Sequence, residues 1–371
     1  MCDEIDKVML RNDDKHIVNL KKSNGILEGG YGKRTLINSL IGINDISECN
    51  YELEKISKIV QMKDGPDLLS DLSTIKQNRI ESIWYRIIKE TPFVAATLPI
   101  YMVSSKNNTI DENELLEIII EQMEYGVGLL TIHPTVSKEI FEKARKRIVP
   151  ITSRGGGIVV RDLLAKNFKD SNVYLKLLPQ IISYARKYKV CLSIGAAFRS
   201  ANIFDSNDEA QKMEIEKQIL IAKWIAKQGV GVIIESPGHA RPRDIKDISI
   251  LLKDAGFPIM PLGPIPTDIS IGMDHVSGAI GAVIMGIEGC ADILATVTRE
   301  EHTGGRPTIE STIEAIKVAK ISAHIIDINN LNDTESDKEI VKSRFDANTC
   351  VLGKTTKYCD RCKELCPLSI R

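Results

Sequence analysis

Through most of the chain, short apolar runs rich in β-branched residues alternate with longer amphipathic stretches, and this alternation limits the possible fold more than any other feature. The strand candidates are 68–73, 93–99, 127–133, 148–153, 189–195, 230–236, 258–263 and 292–298. Between them, 110–125 and 208–227 repeat apolar residues at three- and four-residue spacing, as a helix with one buried face does. Asp208 and Glu209 open the second stretch, where the dipole of a helix favours acid.

Eight strands with helices between them, over roughly 230 residues, fit a (β/α)8 TIM-type barrel. An open doubly wound sheet makes the same alternation. Polar residues separate the two. Asp71, Ser73, Tyr101, His133, Ser153, Arg154, Arg199, Glu235 and His302 all fall at or just past predicted strand C-termini. In a barrel those ends converge on one rim, where active sites are built; in an open sheet they spread along a crest. The expected architecture is an α/β barrel over 61–328, with an irregular N-terminal segment (1–60) packing on it and a short Cys-rich C-terminal tail after a linker (329–371). Within the first sixty residues, 25–32 reads as a loop and 33–42 as an apolar segment followed by a turn. Residues 327–337, rich in Asn and Asp, read as a polar linker.

Four of the eight cysteines, Cys350, Cys359, Cys362 and Cys366, crowd the last stretch, while Cys2, Cys49, Cys191 and Cys290 are scattered. That is not a disulfide framework, and in a reducing compartment such crowding points to metal. The cytoplasm is expected, because the first residues lack a signal-peptide layout and no apolar run is long enough to span a bilayer. A net charge of −1 offers no basic field for nucleic acid or an anionic membrane. Cys359, Cys362 and Cys366 can hold three corners of an iron–sulfur cube and leave the fourth iron open. With Cys350 as a fourth thiolate, the same stretch completes a structural zinc tetrahedron. The spacing fits both.

Ser153-Arg154-Gly155-Gly156-Gly157 follows a predicted strand end. Glycines let backbone N–H groups approach an anion, and Arg154 adds a charged fork for phosphate. The competing reading is a turn that needs positive φ angles. Glu235 and His239, four apart on one rim loop, fit an acid/base pair or a metal ligand with its neighbour. His302 closes the eighth predicted strand, so two rim histidines can share a divalent ion; a lone loop histidine is otherwise a hydrogen-bonded cap. His133 and Tyr101 can donate to a bound ring or sugar, or pack as loop residues. Arg199 is a second candidate phosphate contact, against a surface ion pair of little consequence. His275 and His324 fall within predicted helices and carry no assigned role.

These motifs, in this order, resemble the ThiC-like family of radical S-adenosylmethionine enzymes. The residues that carry the resemblance are Asp71-Leu72-Ser73-Thr74, Leu98-Pro99-Ile100-Tyr101, Thr131-Ile132-His133, Ser153-Arg154-Gly155-Gly156, Glu235-Ser236-Pro237-Gly238-His239, Leu262-Gly263-Pro264 with Thr267-Asp268-Ile269, Glu301-His302 and the terminal Cys-x2-Cys-x3-Cys. The likeness runs from about Lys33 to the C-terminus. It implies a carbon–carbon lyase that rearranges 5-aminoimidazole ribotide, either to phosphomethylpyrimidine for thiamine or to 5-hydroxybenzimidazole for cobalamin. By the same resemblance, Asn38, Tyr101, His133, Ser153, Arg154, Gly155, Arg199 and Glu235 bind the ribotide, with His133 and Glu235 at the chemistry. His239 and His302 hold Zn2+ or Fe2+ near S-adenosylmethionine, and Cys359, Cys362 and Cys366 carry a 4Fe–4S cluster. An external electron donor and a homodimer, or a homologous partner subunit, are further implications.

The chain departs from the family where Gly-Asp usually precedes Arg199 (here Gly195-Ala196), at Ser70 in place of a usual Met, and around Met260-Pro261 in place of a usual Tyr. Those changes favour the hydroxybenzimidazole branch, with phosphomethylpyrimidine synthesis as the alternative. A barrel with a zinc tail and a degenerate, partner-dependent paralogue are the readings from other classes.

Overall fold

A computed structural model describes residues 15–103, 105–106, 108–351 and 361–370. Ile17–Lys22 (β1) and Gly25–Gly30 (β2) form an antiparallel hairpin. Eight parallel strands follow: Leu36–Ile41 (β3), Leu68–Asp71 (β4), Val94–Thr97 (β5), Leu129–Ile132 (β6), Cys191–Ile194 (β7), Val232–His239 (β8), Ile259–Ile265 (β9) and Ile293–Ala295 (β10). From β3 to β9 each strand pairs with the next, and β10 pairs with β3; among the described residues β9 and β10 share no ladder. Between β9 and β10 the ring is drawn together by two hydrogen bonds. Asp292 N–H donates to Ile259 O at 2.9 Å, and Ile259 N–H donates to Asp292 Oδ2 at 2.8 Å.

Every barrel strand is followed by at least one helix. These are Cys49–Val60 (α1), Ile83–Glu90 (α2), Glu112–Tyr125 (α3), Lys138–Ala144 (α4), Arg154–Ala165 (α5), Val173–Tyr188 (α6), Glu209–Lys227 (α7), Pro242–Lys253 (α8), Asp274–Ile287 (α9) and Ile309–Leu331 (α10). The architecture is the expected (β/α)8 barrel. Its interior is filled by Leu36, Leu68, Val94, Ala96, Leu129, Cys191, Ile233, Met260 and Ile293. Val18 and Leu20 of the hairpin join the same cluster, so β1 plugs the N-terminal end of the barrel. Gly128 allows this, because a Cβ there would run into the carbonyl oxygen of Lys21.

Three assignments change, the first being that Gly25–Gly30, within the stretch read as a loop, is a strand. Leu36–Ile41 is a barrel strand rather than part of a packing segment, so the barrel begins inside 1–60. Asn38 and Ser39 interrupt its apolar run, yet both are buried. Residues 148–153 form no strand: Asp205 takes the N–H groups of Ile148 and Val149 at 3.2 and 3.1 Å, and Ile148 is 72% exposed. A backbone whose donors are spent on a side chain has none left for a ladder.

The supposed linker at 327–337 is mostly helical. The last turn of α10 includes Asp327, which accepts from Thr35 N and Thr35 Oγ1 at 2.9 and 2.7 Å. Asn332 closes that helix in the left-handed conformation, and Glu335–Ala347 (α11) follows. Among the described residues, no helix is long and apolar enough to cross a membrane.

Candidate active site at the barrel rim

A cavity of about 420 Å³ opens at the C-terminal ends of the strands. Asn38 enters it from β3, Ser70 from β4, Tyr101 from the turn after β5, His133 from the end of β6, Arg199 from the loop after β7, Glu235 from β8 and Met260 from β9. Ser153 and Arg154 reach it from the start of α5. Of the expected ribotide residues, only Gly155 does not line it; that glycine lies beneath His133.

Glu235 is buried with its Oε1 accepting from Thr131 Oγ1 at 3.1 Å and Ser193 Oγ at 3.0 Å. Burial pushes its carboxyl above the usual carboxylate range, against the pull of Arg199, the two hydroxyls and the Ala196 N–H. Gln218 fixes the strand ends below it by donating to Glu235 O at 2.7 Å and Ile194 O at 2.9 Å.

His133 is buried and wedged between Gly155 and Gly195, where any side chain would meet the imidazole. Burial, with Arg199 adding to it, lowers its pKa to about 3, so the ring is neutral. Ser153 Oγ lies 3.4 Å from Nε2, and Nδ1 has no partner. Arg154 stands over the Tyr101 ring at 5.2 Å. Burial raises the Tyr101 phenol, opposed by Arg154 and Arg199.

The glycine run is neither a loop nor a positive-φ turn. Arg154 to Gly157 is the first turn of α5, capped by Ser153 Oγ, which accepts from Gly156 N at 3.1 Å. Its N-terminus, with Arg154, faces the cavity as an anion site requires.

His239 and His302 meet with Nε2 atoms 3.2 Å apart. Each Nδ1 is held by a carboxylate, His239 by Asp268 at 2.6 Å and His302 by Asp274 at 3.1 Å. Carboxylates accept, so each Nδ1 carries the proton and both Nε2 present lone pairs to each other. A cation between them removes that conflict. Two metal–nitrogen bonds of about 2.0–2.1 Å at a tetrahedral angle hold their nitrogens roughly 3.3 Å apart, so the residues fit a metal. Burial lowers the His239 pKa and favours the neutral, ligating form. Among the described residues, no third His, Cys, Asp or Glu completes a metal cluster. In the tail, Cys362 and Cys366 flank the turn Lys363–Leu365 and Cys350 is exposed; Cys359 lies outside the described residues.

The model of the Radical SAM ThiC family matches residues 7–369. This chain belongs to that family. Membership implies a 4Fe–4S cluster and S-adenosylmethionine. A phosphomethylpyrimidine synthase of Carboxydothermus hydrogenoformans is 32% identical over 332 residues, covering 86% of this chain and 76% of the relative. Another from Pyrococcus abyssi is 31% identical, covering 92% and 85%. A third from a Thermoanaerobacter species is 34% identical, covering 88% and 77%. The relatives' names thus favour the phosphomethylpyrimidine alternative over the hydroxybenzimidazole branch to which the departures pointed.

Several residues that shape the site escaped sequence reading. Asp268 lay in a recognised motif without a role, and Asp274 was assigned none. Gln211, Glu214 and Gln218 recur at three- and four-residue spacing on the buried face of α7. Polar residues on the same face as Ile215 and Ala222 are the signal that would have revealed them.

Proposed function

We propose that this protein is a radical S-adenosylmethionine enzyme that converts 5-aminoimidazole ribotide to phosphomethylpyrimidine. The observation that carries the reading is one cavity lined by two arginines at a helix N-terminus, with two histidines at metal-bridging distance outside its lining, one at the end of the strand that carries Glu235 and one next to Glu301 of the wall. Arg154, Arg199 and the first turn of α5 take the phosphate. Asn38, Tyr101 and His133 orient the ring and sugar, His133 as a neutral imidazole. Glu235 is the proton-exchanging group. His239 and His302 hold Zn2+ or Fe2+, and Cys359, Cys362 and Cys366 hold the cluster. When bound, cluster and S-adenosylmethionine supply the radical chemistry, and the chain positions the reactant and keeps water out. A cytoplasmic homodimer served by an external electron donor completes this reading.

Hydroxybenzimidazole formation is the second reading, favoured by Ser70 and Met260, which both contact Asn38 in the cavity wall, at 2.9 and 3.5 Å. Anaerobic incubation of reconstituted enzyme with aminoimidazole ribotide, S-adenosylmethionine and reductant, with products identified by mass, tests both. Hydroxymethylpyrimidine phosphate is expected. 5-Hydroxybenzimidazole would move the protein to the other branch, and absence of S-adenosylmethionine cleavage would sink the mechanism.

A further inference from the structure

We infer that Glu214 is a positioning residue that sets the phosphate end of the cavity by tying two rim loops to one helix. It lies on α7, buried, outside the cavity. Its Oε1 accepts from Thr135 Oγ1 at 2.7 Å and Ala197 N at 2.8 Å, and its Oε2 from Phe198 N at 2.6 Å. Thr135 is two residues past His133, and Ala197-Phe198 lead directly into Arg199. One carboxylate therefore joins the loop that carries the ring-orienting histidine to the loop that carries the phosphate arginine.

The grip on the second loop is two-sided. Phe198 O accepts from Arg147 Nη1 at 2.8 Å, and Arg147 Nε is held by Asp208 at 2.7 Å. Asp208 is the N-cap of α7, the helix that bears Glu214. Both peptide groups before Arg199 are thus pinned to α7, and the Arg199 side chain folds back with Nη1 on Ala196 O at 2.9 Å, at the cavity wall. Three donors converge on Glu214, two N–H and one O–H. Only a carboxylate offers acceptors at both oxygens; an amide would turn its own N–H against one of the backbone donors. Burying a carboxyl carries a desolvation penalty, and a well-packed apolar residue would avoid it while leaving the two loops untied.

This inference rests on the ribotide reading, in which Arg199 meets the phosphate. The test uses the full chain, with binding of aminoimidazole ribotide and of its dephosphorylated riboside measured by calorimetry. Glu214→Gln should weaken ribotide binding about tenfold while changing riboside binding less than about twofold, since one charge-assisted contact is lost at the phosphate end only. Combined with Arg199→Ala, it should add little, because both act through the same guanidinium. Thr135→Val releases the His133 loop alone and serves if Glu214→Gln does not fold; it should weaken ribotide and riboside alike by about threefold, and no loss for either would overturn the inference. For Glu214→Gln, equal losses for ribotide and riboside, or additive losses with Arg199→Ala, would reduce Glu214 to a packing role and overturn the inference. Failure of the wild-type protein to bind the ribotide at all would overturn the functional reading and this inference with it.

Discussion

At His133, two glycines and a buried backbone leave the imidazole neither room to move nor water to charge it. Its pKa, about 3 against an ordinary 6.5, lies far below the working range. The folded state therefore binds fewer protons at this site than the unfolded chain. The stability it contributes is complete above pH 6.5 and is lost as the pH falls toward 3. Histidine NMR should show His133 resonances that do not titrate between pH 5 and 8; a midpoint near 6.5 would mean that the ring is solvated. The other rim imidazoles answer to a cation. His239→Ala or His302→Ala should weaken Zn2+ binding tenfold or more, and Asp268→Ala about tenfold through lost orientation of His239. Metal content measured after dialysis against a chelator checks this, and equal retention in all three variants would remove the site.

Helix α5 shows how one element can serve packing and recognition together. Its glycines are needed for closeness: a Cβ on Gly156 would lie 2.5 Å from Ala197 Cβ, and one on Gly155 would strike His133. Gly157 has nothing closer than 3.9 Å. Gly156→Ala should therefore destabilise the protein by about 1–3 kcal/mol through overpacking. Gly157→Ala should be neutral or stabilise by up to about 1 kcal/mol, as expected for a helix interior. Gly155→Ala should weaken ribotide binding by displacing His133. Thermal unfolding of the three variants and ribotide titration of the last provide the measurements; a destabilised Gly157→Ala beside a neutral Gly156→Ala would contradict this packing.

The barrel as a whole depends on a short seam. Between β9 and β10 the ring is bridged by Asp292, which uses its backbone N–H and its side chain on one residue, Ile259. Asp292→Ala leaves the Ile259 N–H without its acceptor and should cost about 1–3 kcal/mol in urea unfolding. Asp292→Asn keeps an acceptor and should cost less than about 1 kcal/mol. Equal, small effects would show that the backbone bond from Asp292 N–H to Ile259 O suffices to hold the seam. At the opposite end Val18 and Leu20 of the hairpin pack into the barrel interior, while the polar residues gather around the cavity at the rim.

Alternation of apolar runs and helical periods was enough to read a barrel, because strand and helix burial leave different spacings in the chain. Polar residues at strand ends were enough to place Tyr101, His133, Arg199 and Glu235 on one rim, because parallel strands all end at the same face. The Asn38 strand was hidden, since a polar side chain pointing into a barrel interrupts the apolar run that marks a strand. Residues 148–153 misled for the converse reason: β-branched residues there have their amides claimed by Asp205, a partner distant in sequence. Glu214, Gln218, Asp268 and Asp274 act through hydrogen bonds to loops that only folding brings near. In the sequence a buried carboxylate and a solvated one are the same letter, and tertiary structure alone decides which of them meets a backbone amide, an imidazole or water.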